Sequence, residues 1–134
     1  MTSVWVDTNI LVRFITGDPG EMARRAQRLL RRAADRELLV RIPSLVIAEV
    51  IWVLGSYYGS DRNVIADAVR ALVLADGVSV DDADLVLDAL RLVQEANVAY
   101  VDAYLAATAR AHGEPVATFD ADFKRLGVEL IRLT

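Results

Sequence analysis

Short apolar runs alternate with helical segments along the whole chain, and this alternation limits the possible folds more than any other feature. Residues 3–6 hold Val4, Trp5 and Val6, a β-rich run too short for a helix that stops at Asp7. Ile10, Leu11, Phe14 and Ile15 then recur at helical spacing until Thr16-Gly17-Asp18-Pro19-Gly20 ends the pattern. A longer helix is predicted over 21–36, a strand over 38–42, and a helix from Ser44, read as its N-cap hydroxyl, to about Tyr58. Ser60 or Asp61 caps another helix ending near Asp76-Gly77, ahead of a strand at 78–80 and an amphipathic helix over 81–95. A helix from Asp102 to His112-Gly113, a strand at 116–119, a short helix at 120–126 and a closing strand at 128–133 complete the pattern. Parallel strands need crossover connections, and these are usually helices. The pattern therefore predicts an α/β fold with a central, mostly parallel sheet of about four or five short strands flanked by helices.

The 7 glycines and 3 prolines are scattered at turn-like positions with no linker between them, so a single domain over 1–134 is expected. A hydrophobic fraction of 54% gives that domain an ample core. The net charge of −4 offers no overall positive field, so any contact with nucleic acid must be local or metal-mediated. Without cysteine there is no disulfide framework, no thiolate zinc site and no thiol nucleophile, and a single histidine leaves little imidazole chemistry. Carboxylates are the main chemical resource that remains. The amino terminus lacks the basic and apolar regions of a secretory signal. The most apolar stretch, 45–54, is interrupted by Glu49 and is shorter than the ~20 residues of a membrane span. A soluble cytoplasmic protein with no membrane partner is expected.

In open parallel sheets, ligands sit beyond the carboxyl ends of the strands. Asp7 ends the first predicted strand and Asp120 directly follows the one at 116–119, so both carboxylates are expected at that rim. Glu49, about one turn into a helix that follows a strand, and Asp102, in the first turn of another, are expected to face it too. Converging carboxylates repel unless protons or cations compensate. Oxygen donors without thiols favour Mg²⁺ or Mn²⁺ over zinc, and the implied chemistry is hydrolysis of a phosphate ester.

Val4-Trp5-Val6-Asp7-Thr8-Asn9-Ile10-Leu11 resembles the opening strand and Asp-Thr-Asn motif of PIN-domain ribonucleases, especially the VapC toxins of toxin–antitoxin pairs. Ile42-Pro43-Ser44-Leu45-Val46-Ile47-Ala48-Glu49-Val50 resembles that family's second motif, with its Glu at Glu49. Tyr100-Val101-Asp102-Ala103-Tyr104-Leu105-Ala106-Ala107-Thr108-Ala109 resembles the third, with its Asp at Asp102. Ala117-Thr118-Phe119-Asp120-Ala121-Asp122-Phe123 resembles the fourth, where the Asp after Thr-x falls on Asp120. Each tripeptide is weak by itself; the ordered set is strong. The resemblance implies a metal-dependent endoribonuclease with Asp7 and Asp102 as ligands of one or two Mg²⁺ or Mn²⁺ ions, and Glu49 and Asp120 completing the catalytic cluster. It also implies supporting roles for Thr8, which hydrogen-bonds within the site, for Asn9, which braces the strand-to-helix turn, and for Thr118. Asp122 is a departure from the pattern that leaves open which of Asp120 and Asp122 lies nearer the metal. Further implied are an RNA substrate, a cognate VapB-type antitoxin, a homodimer, and contact with DNA only through the antitoxin.

Each acid also has a purely structural reading. Asp7 and Asp120 suit helix caps, and Asp102 and Asp122 suit acids in a first helical turn. Glu49 lies among Val46, Ile47, Val50 and Ile51, and this apolar surround argues against a simple exposed-face role. Arg24, Arg25, Arg28, Arg31, Arg32 and Arg36 face only Glu21 and Asp35 within 21–36, and they either grip RNA phosphates or an acidic partner segment, or form a solvated face. Arg13, the base near Asp7 in sequence, either offsets the acidic rim or points to water. Trp52, Tyr57 and Tyr58 fit a base-stacking platform or, more in keeping with their helical spacing, core or subunit contacts. His112 reads as a residue at a helix carboxyl end, not a general base. Two rival functions stand beside the nuclease: a catalytically silent PIN-like module that binds RNA or protein, and a receiver-type domain phosphorylated on Asp7. The second ranks last because the only lysine is Lys124.

Overall fold

Three short strands, β1 (Thr2–Trp5), β2 (Leu38–Ile42) and β3 (Val78–Val80), pair in parallel in the order β1-β2-β3. The computed structural model describes residues 1–134, which divide into two units, Met1–Ala83 and Asp84–Thr134; the sheet belongs to the first. The register sets Trp5 beside Arg41 and Ile42 beside Val80. As the central strand, β2 buries Leu38, Val40 and Ile42, while the Arg41 guanidinium lies 5.7 Å from the centre of the Trp5 ring and partly covers the edge strand.

The crossovers of the first unit are helical: α1 (Thr8–Thr16), α2 (Gly20–Ala34), α3 (Ser44–Ser56) and α4 (Arg62–Val73). Each buries one stripe. Ala23, Ala26, Leu30 and Ala33 do so in α2, Ile47, Val50 and Leu54 in α3, and Ile65, Val69 and Leu72 in α4. Burying a leucine or isoleucine such as Leu11, Ile42, Ile47 or Leu54 contributes about 1.5–3 kcal/mol each. The small residues of α2 allow close approach. At Gly77, with φ of 76°, a Cβ would sit 2.1 Å from the Ala33 carbonyl oxygen, so glycine alone fits there. Asp61 caps α4 as expected, accepting from the Asn63 N–H at 2.7 Å. The expected cap at Ser44 is not formed: Pro43 holds the N-cap position, its carbonyl accepts from the N–H groups of Val46 and Ile47, and Ser44 is already helical.

The second unit comprises α5 (Ala83–Ala96, its first residue at the boundary), α6 (Tyr100–His112) and a 3-10 turn (Ala121–Arg125). The stop predicted at His112-Gly113 is a Schellman motif: Gly113, at φ 65°, donates to the Arg110 carbonyl, and Glu114 donates to that of Ala109. The strands expected at 116–119 and 128–133 reduce to one parallel bridge, Val116 to Leu130, so the sheet has three strands and not four or five. The reason is burial. Val116 is enclosed but Ala117 and Phe119 are exposed, and a run with one inward residue lacks the two-sided cover that holds a parallel strand. No helix is long and apolar enough to cross a membrane.

Candidate functional site

Asp7 follows the end of β1 and turns the chain into α1. Its Oδ1 accepts from the Ile10 N–H at 3.2 Å, which orients the carboxylate and leaves Oδ2 without a protein partner. Thr8 beside it is buried, whereas Asn9 is exposed, makes no bond that braces the turn, and lines a cavity of about 530 Å³ with Asp7. The bracing role expected of Asn9 is thus not seen, because the Asp7 carboxylate already holds the turn. Arg13 of α1 and Met22 and Arg25 of α2 line the same cavity.

Glu49 lies five residues beyond the start of α3, about 7–8 Å along its axis. It is exposed, so the expectation that apolar neighbours enclose it fails. Ile47, Val50 and Leu54 take the buried face, and Glu49 shares the outer one with Leu45 and Trp52, spaced four and three residues away. Because α3 is apolar on nearly every side, composition alone does not reveal which face turns outward.

In the second unit, Asp102 is the third residue of α6 and half-buried. The N-cap residue Ala99 supplies no side-chain cap, so a carboxylate in that first turn gains from the helix dipole. Asp102 and Glu49 form no hydrogen bond or ion pair. Asp120 caps the 3-10 turn by accepting from the Asp122 N–H at 2.8 Å, and its own N–H donates to Thr118 Oγ1 at 3.0 Å. Thr118 therefore fixes the backbone that carries Asp120. Asp122 is the first-turn acid expected and pairs with Arg125 at 3.4 Å. Tyr100, also in this first turn, is buried with its hydroxyl unpartnered; burial, reinforced by the nearby Tyr104, pushes its pKa up. His112 Nδ1 donates to the Thr108 carbonyl at 2.8 Å, the structural use expected of it.

The first unit thus carries Asp7 and Glu49, and the second carries Asp102, Asp120 and Asp122. Within neither unit do three or more aspartate, glutamate or histidine side chains gather closely enough to hold a metal ion. In each unit the carboxylates offer oxygen donors of the kind that a hard divalent cation takes, and Glu49 in the first and Asp102 in the second are each without a basic side-chain partner. Sequence alone does not tie Arg25 to Asp7, although the spacing of Met22 and Arg25 on α2, like that of Asn9 and Arg13 on α1, marks a shared face. A comparison with family models matches residues 4–129 to the one described as PIN domain. A comparison with curated proteins finds no match.

Proposed function

The chain belongs to the PIN-domain family, and from that premise we propose that it is a metal-dependent endoribonuclease, the toxin of a VapC-type toxin–antitoxin pair. The observation that carries this reading is the order Asp7, Glu49, Asp102, Asp120 within a single family match that spans 4–129. PIN-domain proteins are typically nucleases, and those nucleases generally use divalent metals. Asp7 and Asp102 would hold Mg²⁺ or Mn²⁺, with Glu49 and Asp120 completing the acidic set. When bound, the cation offsets negative charge on the phosphate and lowers the pKa of an attacking water. The protein's own contribution is positioning: the Ile10 N–H holds the Asp7 carboxylate, and Thr118 with the Asp122 N–H holds Asp120.

Exposed apolar residues on α3, Leu45 and Trp52, suit a homodimer, and a short VapB-type antitoxin is the proposed restraint on activity. A second reading, a PIN module that binds RNA or protein without cleaving it, draws support from the caps: Asp7 and Asp120 each already have a structural task. The Asp7→Asn variant separates the two, because asparagine caps as well as aspartate and the fold should persist. Removing hydrogen-bonded neighbours of metal ligands typically costs 10–100-fold, so loss of a ligand itself is expected to lower Mg²⁺-dependent RNA cleavage by more than about 100-fold. Cleavage that persists in Asp7→Asn with an unchanged circular dichroism spectrum would overturn the assignment, and RNA binding by a wild-type protein that never cleaves would establish the second reading.

A further inference from the structure

The cavity beside Asp7 is walled by one turn of α1 and one of α2. Asn9 and Arg13 are four residues apart on the first, and Met22 and Arg25 three apart on the second, spacings that align side chains on one helical face. At about 530 Å³ it falls within the ~300–1,000 Å³ typical of small-molecule sites.

Its two guanidinium groups are uncommitted to carboxylates. Arg13 donates through Nη1 to the Asp18 carbonyl at 3.0 Å, but its Nε is enclosed without any hydrogen-bond partner. Buried donors are rarely left in that state, and an oxyanion that draws the guanidinium toward the cavity supplies the missing acceptor. Arg25 is exposed and forms no ion pair, although Arg24 and Arg32 of the same helix are paired with Glu21 and Glu37. Two planar forks in one cavity select an anion with several oxygens in one plane or around one centre, as phosphate offers.

We propose that Arg13 and Arg25 bind a phosphodiester of single-stranded RNA next to the one cleaved at Asp7, making the groove between α1 and α2 the path of the RNA backbone. This inference rests on the nuclease reading for the identity of the cleaved bond. RNA is favoured over an acidic peptide by the remaining walls. Met22 and Ile10 offer apolar surface to a ribose or base, and the Asn9 amide offers both donor and acceptor to a base edge, groups that a run of carboxylates would not use.

The test measures binding of a fluorescent single-stranded RNA by anisotropy over a range of salt, in EDTA so that no cleavage intervenes. The variants are Arg25→Ala, Arg13→Gln and the control Arg28→Ala, an exposed and unpaired α2 arginine outside the cavity. Arg25→Ala is expected to weaken binding about tenfold and to reduce the slope of log K against log salt by about 0.7, the signature of one lost single-strand phosphate contact. Arg13→Gln is expected to act in the same direction, and Arg28→Ala to change neither quantity. Wild-type affinity and slope in a folded Arg25→Ala protein would overturn the proposal, as would no RNA binding by the wild type. Equal competition by a polyglutamate peptide with the same dependence on Arg25 would overturn it in favour of an acidic partner. Cleavage by the wild type with undiminished binding by the variants would remove this subsite and leave the nuclease standing; variant-sensitive binding without any cleavage would do the reverse.

Discussion

Each unit of the chain encloses one side-chain polar atom that has no hydrogen-bond partner: Arg13 Nε in the first, the Tyr100 hydroxyl in the second. The resemblance ends there. Arg13 lines a cavity that also holds Asp7, Asn9 and Arg25, so the residue that carries the unsatisfied donor adjoins space where an oxyanion fits. Tyr100 is packed in the first turn of α6 with the Tyr104 ring 5.9 Å away, and burial dominates its surroundings. An orphan polar atom points to binding where open volume and a second group of matching chemistry adjoin it; by itself it is a stability cost.

The contrast makes opposite demands on variants of the two units. Asp102→Asn, two residues from Tyr100, is expected to reduce RNA cleavage more than about 100-fold while leaving RNA affinity in EDTA nearly unchanged. Arg13→Gln should instead raise KM about tenfold with a smaller effect on kcat, as the loss of a substrate contact remote from bond breaking predicts. Equal losses of kcat in both variants would erase the distinction between a ligand and a binding group.

Tyr100→Phe tests the other side of the comparison. Removing an enclosed hydroxyl that has no partner is expected to leave stability at neutral pH unchanged or raise it by up to about 1 kcal/mol in urea denaturation. Burial raises the Tyr100 pKa, so the folded state holds this proton more tightly than the unfolded one. Stability should then be level below the unfolded phenol pKa of about 10 and fall as pH rises beyond it, and this part of the fall should vanish in Tyr100→Phe. A stability loss of several kcal/mol at neutral pH would show that the hydroxyl has a partner after all.

Arginines repeat the lesson on a smaller scale. Arg91 in α5 is held by Asp88 at 2.7 Å and by Glu95, and its pKa is raised chiefly by the hydrogen bonds it donates to Asp88, whereas Arg25 has no such acid. Asp88→Ala is expected to cost no more than about 0.5 kcal/mol in thermal or urea unfolding, since the pair is solvent-exposed, and to leave RNA binding as it was.

Much of this was legible in the residue order. The strands at 38–42 and 78–80, the Asp61 cap, the stop at His112-Gly113 and the first-turn placement of Asp122 agree between residue order and structure, because each depends on residues within about one helical turn or one strand. The pairing of Arg91 with acids three and four residues away is local in the same way. The outward turn of Glu49, the reduction of 116–119 and 128–133 to one bridge, and the entry of Arg25 into the cavity of Asp7 are different in kind. They follow from which faces of distant segments meet, and burial of a side chain is a property of its neighbours in space, which no local periodicity encodes.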